Sequence, residues 1–257
     1  MNKQFNIKRF GRLFVKHTAE HYKSYLMSLT VLIGVMVLGG SFIVYIIPGS
    51  LDAGFQSALF LAILFLAGTI FTSTIFADYG DRKRSVAALT LPASHLEKYL
   101  VAWLYSFVIF LLVFTSSFYL ILVFLLSLKP VAGQTPDVFN VFGSQVGFFM
   151  FLLFAFLHSV AFFGAIFFEK LHFIKTAFVF FLCIGLLYLL NYLILRAFTG
   201  SGVLASAPFG NLRLTENSKV LIIMIPRERA ASVPFGVLAL VFLFWTAAYF
   251  RLKEKQV

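Results

Sequence analysis

The chain has 257 residues, of which 61% are hydrophobic and 12% are charged. Soluble domains are about 45–50% apolar, so this composition excludes an ordinary soluble protein and predicts an integral membrane protein. The net charge of +11 does not predict a nucleic-acid-binding protein, because the Lys and Arg residues follow a membrane-orientation pattern instead of forming one basic face.

The first segment, residues 1–24, precedes any apolar run long enough to cross a bilayer. In it Phe10, Leu13 and Phe14 recur at helical spacing, and four basic residues are available for a polar side: Lys8, Arg9, Arg12 and Lys16. This pattern predicts an amphipathic helix at the membrane surface, where basic side chains meet anionic headgroups. The alternative is a disordered basic tail that only obeys the orientation rule.

Six apolar runs follow, and a membrane-spanning helix needs about 20 residues. They are Tyr25–Ile47, Phe55–Phe76, Tyr99–Leu128, Val146–Phe168, Phe173–Phe198 and Pro234–Phe250. The third run is longer than the hydrocarbon thickness, so we expect it to tilt or to project from the bilayer. The prediction is an all-α, polytopic membrane protein in which residues 1–257 form a single transmembrane domain.

Lys and Arg predict the orientation, because short loops that are rich in them stay in the cytoplasm. The N-terminal segment, two loops and the C-terminal tail together carry 15 of them, whereas the opposite side carries six. We therefore expect both termini to be cytoplasmic and the segment 199–233 to lie outside.

The loop 78–98 contains most of the charge in the middle of the chain. Asp81 and Arg84 are spaced to support one helical turn, Pro92 disfavours a helical conformation of the preceding residue, and Ser94 with Glu97 fits the S-x-x-E capping box. This order predicts a short helix, a corner and a new helix that continues into the third run. An ordinary loop that only maintains orientation is the alternative.

The stretches "DYGDRKRSVAA" and "LTLPASHLEKYL" in this loop resemble the cytoplasmic loop of type-2 ABC exporter permeases. In that family a short coupling helix precedes a Leu-Pro-small-Ser element and the third span. Family members also have six spans, cytoplasmic termini, an N-terminal interfacial helix and an outer insertion between spans five and six. The chain departs from the family pattern at His95, where Arg or Lys is frequent.

The resemblance implies the permease subunit of an ATP-driven exporter in a bacterial inner membrane, built as a homodimer or heterodimer with two ATPase subunits. The chain has no G-x-x-x-x-G-K-[ST] phosphate loop. We therefore expect it not to be an enzyme and to bind no cofactor, with ATP and magnesium on the partner ATPase. The residues expected to couple the two subunits are Asp81, Arg82, Lys83, Arg84, Val86, Leu89, Leu91, Pro92, Ser94 and Glu97.

A membrane-embedded enzyme is a second hypothesis, because ionisable residues inside spans are costly and often functional. His158 is the one deep ionisable residue in the six runs. It cannot form a dyad with the adjacent Ser159, although Ser116 or Ser117 of another span could approach it. We interpret His158 as hydrogen-bonded to a Ser or Thr of a neighbouring helix.

Polar residues within the runs also define a candidate path for an amphiphilic or lipid-like substrate, although such residues commonly connect helices. They are Thr69, Thr72, Ser73, His158 and Asn191. A secondary transporter is disfavoured because the runs contain no buried carboxylate. A membrane scaffold that transports nothing remains a third hypothesis.

Two features of the second half of the chain have structural interpretations. In the segment 199–233, the apolar stretch Val220–Ile225 is too short to cross a bilayer, so it either dips into the outer leaflet, plugs a dimer, or forms a small strand. Cys183 is the single cysteine, which excludes a disulfide framework, and we interpret it as a buried packing residue.

Overall fold

The computed structural model describes residues 5–47, 51–75, 93–128, 137–168, 171–199, 207–208, 210–216, 219–224 and 226–254. Its helices are α1 (Ile7–Ile46), α2 (Ala53–Thr74), α3 (His95–Leu128), α4 (Gln145–Phe167), α5 (His172–Thr199) and α6 (Arg227–Glu254). All six are long and apolar enough to cross a membrane. The predicted class, an all-α multi-pass membrane protein with six spanning helices, is confirmed.

Polar caps fix where several helices begin. The Asn6 side chain accepts from two backbone N–H groups of the first turn of α1, Asp52 does the same for the N–H of Phe55 in α2, and Ser144 for that of Gly147 in α4. Such caps satisfy donors that a helix start leaves without an intrahelical partner. The caps at Asp52 and Ser144 place the starts of α2 and α4 within two residues of the apolar runs seen in the sequence, whereas the cap at Asn6 starts α1 well before the first run.

The N-terminal segment is helical but is not a separate helix. Residues 7–24 form the first part of α1, which runs for 40 residues, or about 60 Å. No proline interrupts the sequence between Ile7 and Ile46, and Gly11 alone costs only about 1 kcal/mol of helix propensity. The helix therefore continues from the basic segment into the first apolar run without a break.

Helices α3 and α6 each contain one irregularity. In α3, the α-helical parts His95–Trp103 and Phe110–Leu128 are joined by a π-helical turn, Leu104–Ile109. Helix α6 begins seven residues before Pro234 and includes it. Proline is tolerated inside spanning helices because neighbouring groups satisfy the freed carbonyl. The sequence analysis began the sixth run at Pro234, and this predicted start is therefore seven residues too late.

Helix α4 lies at the centre of the bundle and packs most extensively against α6, α2 and α5, while α1 runs along α3. Close approach depends on glycine at two of these contacts. A Cβ added at Gly68 of α2 would overlap Phe154 of α4, and one added at Gly164 of α4 would overlap Thr176 of α5. Small residues of this kind let membrane helices approach closely.

The segment 199–233 contains a β-hairpin. Strand β1 (Leu212–Glu216) pairs antiparallel with β2 (Lys219–Ile223), so Val220–Ile223 lies in a strand. Its place relative to the membrane and to a second copy of the chain stays a prediction. The side chains of Val220–Ile223 are exposed. Cys183 on α5 is also exposed, so its interpretation as a buried packing residue is wrong: its apolar sequence neighbourhood reflects a helix surface and not a core.

Candidate functional site

The start of α3 carries the capping box expected from the sequence. The backbone N–H of Glu97 donates to Ser94 Oγ at 3.3 Å, and the backbone N–H of Ser94 donates to Glu97 Oε2 at 2.9 Å. Reciprocal bonds of this kind define a helix start. The structure thus confirms the new helix that begins after Ser94, whereas the predicted short helix and the corner at Pro92 lie outside the described residues. The other predicted coupling residues, Asp81 to Pro92, lie outside the described residues.

Glu97 has a second role, because its carboxylate also binds the beginning of α1. Arg9 Nε lies 2.7 Å from Oε2, Arg9 Nη2 lies 2.8 Å from Oε1, and the backbone N–H of Asn6 donates to Oε1 at 2.9 Å. The Glu97 side chain is fully buried, whereas that of Arg9 is 29% exposed. One carboxylate therefore connects the N-terminus of α1 with the N-terminus of α3. We call Asn6, Arg9, Ser94 and Glu97 the Glu97 junction.

The charge state of the Glu97 junction follows from its geometry. Burial raises the pKa of the Glu97 carboxyl, but the bonds from Arg9, Asn6 and Ser94 and the positive charge of Arg9 outweigh burial and lower that pKa to about 2. The hydrogen bond to Glu97 raises the pKa of Arg9. The pair is ionised at neutral pH.

The sequence analysis predicted the bonds between Ser94 and Glu97 but not those from Arg9 and Asn6 to Glu97. Arg9 and Glu97 are 88 residues apart, and Arg9 is one of several cations in its segment. The capping-box pattern identified Glu97 through its local partner Ser94, since that signal lies within four residues. No comparable local pattern identifies a partner on another helix.

Towards the C-terminal ends of α1 and α3 from the Glu97 junction, aromatic side chains continue the contact between the two helices. Tyr105 stacks on Phe14 with ring centroids 5.0 Å apart and on Tyr25 at 5.4 Å. The hydroxyls of Thr18 and Tyr105 are hydrogen-bonded, and His17 Nε2 lies 2.6 Å from the Tyr25 hydroxyl oxygen. The two helices are thus joined through Tyr105, whose partners on α1 extend from Phe14 to Tyr25.

The π-helical turn joins α3 to α4 and α6 on its other side. Trp245 Nε1 donates to His158 Nδ1 at 3.2 Å, and His158 Nε2 lies 2.9 Å from Ser106 Oγ. An indole N–H only donates, so Nδ1 accepts and the His158 proton is on Nε2. Ser106 Oγ in turn donates to the carbonyl of Ala102 at 2.8 Å.

This pattern confirms that His158 is hydrogen-bonded to a serine of a neighbouring helix, and the serine is Ser106 instead of Ser116 or Ser117. His158 donates to the hydroxyl, whereas a base that activates a serine must accept its proton. The arrangement therefore acts as a structural link between three helices. Pi-helical turns occur frequently at functional sites, and this one sits where these links converge.

The residues of the predicted substrate path lie on three helices, α2, α4 and α5. The hydroxyls of Thr69, Thr72 and Ser73 donate to carbonyls of α2 itself, at Phe65, Gly68 and Thr69 respectively. Asn191 lies on α5, most of whose surface is exposed. The structure also shows an open groove of about 470 Å³ along α3. Its lining includes Phe107, Leu111, Thr115, Ser116, Tyr119 and Phe151.

Two residues that the sequence analysis missed close the end of the bundle opposite the Glu97 junction. Gln56 is fully buried; its amide donates to the carbonyls of Leu51 and Asp137, and its carbonyl accepts from the N–H of Phe139. The Tyr119 hydroxyl donates to the carbonyl of Phe139 and accepts from the N–H of Val141. These bonds hold residues 137–141 against α2 and α3, next to the groove.

Among the described residues, no three His, Cys, Asp or Glu side chains lie close enough together to hold a metal ion. No protein-family model matches the chain, and neither a curated protein nor a solved structure is significantly similar to it.

Proposed function

We propose that this chain is the membrane-spanning permease subunit of an ATP-driven exporter. It works with a separate ATPase subunit that holds ATP and magnesium, and as a homodimer or heterodimer of permeases in a bacterial inner membrane. The observation that carries the proposal is the Glu97 junction. It ties the end of the cytoplasmic loop to both α1 and α3 through a fully buried, ionised carboxylate.

The proposed mechanism uses this connection. Closure of the ATPases around nucleotide moves the segment from Asp81 to Leu91, and the capping box at Ser94 transmits that motion to α3. Because Glu97 also holds Arg9, α1 moves together with α3. A switch of this type needs contacts that differ between two states, and the ATPase groove supplies the contacts that change.

An amphiphilic substrate fits the apolar groove along α3. The groove is lined by Phe, Leu and Val side chains together with the hydroxyls of Thr115 and Ser116. Its surface is mainly apolar with a few polar groups, a composition that is typical of ligand sites. Motion of α3 at the Glu97 junction changes the shape of this groove, since both belong to the same helix.

The test combines Val86→Asp with Leu89→Asp, which puts carboxylates on the proposed docking surface and leaves the orienting Lys and Arg unchanged. We expect the double variant to insert normally, lose the ATPase during purification and lose ATP-dependent export. Val220→Asp with Ile222→Asp, two exposed residues of β2, is the matched control and should keep the ATPase. Normal ATPase retention and transport by the loop variant would show that the loop only maintains orientation.

Orientation is tested separately in a chain with Cys183→Ser. A cysteine placed at Gln134 should react with an impermeant thiol reagent from outside, and one placed at Ser85 should react only after the membrane is opened. Reaction of both from the same side would contradict the proposed topology.

A further inference from the structure

The groove along α3 lies between that helix and α4. Leu111, Thr115 and Tyr119 follow each other at intervals of four residues in the α-helical part of α3, a spacing that places them on one face. Phe151 of α4 and Phe142, which precedes α4, also line the groove, and their ring centroids are 5.9 Å apart. The groove is therefore an apolar cleft, and its α3 side carries a threonine between Leu111 and Tyr119.

The Thr115 side chain is buried but makes no hydrogen bond. Thr115 is 8% exposed, and within the part of the chain that the structure describes its hydroxyl has no hydrogen-bond partner. Other buried hydroxyls of the bundle donate to their own helix, as Thr72 does to the carbonyl of Gly68 and Thr176 to that of His172. The Thr115 oxygen is nevertheless accessible, and Thr115 lines the groove, so this hydroxyl lies at the groove surface.

Thr115 and Ser116 supply the hydroxyls that an occupant of the groove can reach. Ser116 also lines the groove and forms no hydrogen bond with another described residue. The hydroxyl of Tyr119 is already bonded to the carbonyl of Phe139 and the N–H of Val141. Thr115 is near the middle of the third apolar run, a depth at which water cannot satisfy a polar group. An occupant with a polar group at this depth is therefore favoured, because it relieves the cost of unpaired hydroxyls.

The charge of the groove lining restricts which polar group that is. The described residues that line the groove include no Lys, Arg, His, Asp or Glu. A charged headgroup placed there would lie in the hydrocarbon without a partner, which is costly. A pure hydrocarbon would leave both hydroxyls unpaired. The groove therefore fits a long-chain molecule whose polar group carries no charge.

We propose that the groove binds an uncharged long-chain lipid of the diacylglycerol class. An ester or hydroxyl oxygen of the lipid hydrogen-bonds to Thr115 and Ser116, and one of its chains lies against Leu111 and Phe151. That this lipid class is the exporter's substrate rests on the proposed function, whereas the binding itself does not.

The test measures binding of radiolabelled dioleoylglycerol to the purified chain in detergent, without an ATPase, in a scintillation proximity assay. Dioleoylphosphatidic acid has the same glycerol and chains but adds a charged phosphate. It should displace the label only at a concentration at least about tenfold higher than unlabelled dioleoylglycerol. Squalane, a hydrocarbon without oxygen, should also need at least about tenfold more. Equal displacement by either competitor would overturn the proposal.

Variants of the threonine test the hydrogen bond. Thr115→Val replaces the hydroxyl with a methyl group and should weaken dioleoylglycerol binding about fivefold, the size of one hydrogen bond within a membrane. Thr115→Ser keeps the hydroxyl and should bind as the unmodified chain does. The matched control is Thr246→Val, because Thr246 is exposed on α6 and donates to the carbonyl of Phe242. It should leave binding unchanged.

The amount of label bound at saturation reports whether a variant is folded. Unchanged affinity in Thr115→Val at full saturation would contradict the proposal. If Thr115→Val binds little label at saturation because it does not fold, the two competitors decide the question on the unmodified chain.

Transport separates this site from the proposed function. Normal dioleoylglycerol binding, sensitive to Thr115→Val, in a chain that shows no ATP-dependent export with any ATPase would contradict the proposed function and support the site. ATP-dependent export of dioleoylglycerol that Thr115→Val leaves unchanged would support the proposed function and overturn the site.

Discussion

Helices α4 and α5 are consecutive and similarly apolar, yet they occupy opposite environments within the chain. In an apolar stretch of 18 residues within α4, half of the residues are buried, whereas none are buried in a stretch of the same length within α5. Buried positions of α4 include Gly147, Ala155, Ala161, Gly164 and Ala165. The outer surface of α5 carries large side chains such as Phe178, Phe181 and Leu190.

The comparison shows that hydropathy identifies spanning helices but does not identify the one at the centre. Lipid is as apolar as leucine, so burial inside a membrane protein depends on how closely two helices can approach. Small residues permit that approach along α4, and the Gly164 contact with Thr176 is where α5 joins it. Side-chain size at the helix contacts therefore decides which helix lies at the centre of the bundle.

The strongest test of this comparison removes one large ring from each helix. Phe154 of α4 is fully buried between Phe107 and Phe110, whereas Phe178 of α5 is 67% exposed. Phe154→Ala should lower the free energy of unfolding by about 3–5 kcal/mol, and Phe178→Ala by less than about 0.5 kcal/mol. Equilibrium unfolding in lipid-detergent mixtures measures both. Equal losses would contradict the central place of α4.

A smaller effect is expected from enlarging a glycine on each helix. Gly164→Leu forces a side chain against Thr176, whereas a Cβ at Gly185 of α5 meets no atom within 4 Å. We expect Gly164→Leu to cost about 1–3 kcal/mol and Gly185→Leu to be nearly neutral in the same unfolding measurement. A large cost at Gly185 would show that α5 is itself covered by a partner helix in the assembled protein.

Polar residues sharpen the comparison further. His158→Ala removes two interhelical hydrogen bonds, one with Ser106 and one with Trp245, so at about 1 kcal/mol for each bond in a membrane it should cost about 1–2 kcal/mol. Thr199 of α5 provides the comparison, because it is exposed and its hydroxyl donates to the carbonyl of Leu195 in the same helix, and Thr199→Ala should cost less. His158→Ala should leave any hydrolytic activity of the preparation unchanged. Loss of hydrolysis with intact folding would favour the membrane-enzyme hypothesis.

The smallest effect near neutral pH concerns a buried and an exposed carboxylate. The folded-state pKa of Glu97 is about 2, below the ordinary value of 4.5, so its contribution to stability is complete above pH 4.5 and is lost as the pH falls towards 2. The melting temperature should hardly change between about pH 7 and 5 and then fall, because the pKa shift acts only below about pH 4.5.

The controls for the pH effect use two glutamates. Glu97→Gln should remove much of the acid-dependent decline, since the titrating group is gone. Glu254 lies in an exposed pair, 2.8 Å from Arg251, and Glu254→Gln should leave the decline in place. A decline of unchanged size in Glu97→Gln would assign it to other carboxyl groups.

Local patterns made most of the fold and part of the site predictable. Apolar run length predicted all six helices, and the S-x-x-E pattern predicted the cap at Ser94. Contacts between distant segments were not predictable. The Arg9 partner of Glu97 and the loop carbonyls held by Gln56 depend on how helices pack, and no residue pattern within one segment encodes that.

The long sequence separation within the Glu97 junction has a consequence for biosynthesis. Arg9 leaves the ribosome 88 residues before Glu97, a delay of about 4–18 s at 5–20 residues per second. During that time two spanning segments are made while the start of α1 has no anchor. The ion pair between Arg9 and Glu97 can therefore form only after synthesis has reached the third helix. A chain that stalls earlier lacks the ion pair between α1 and α3.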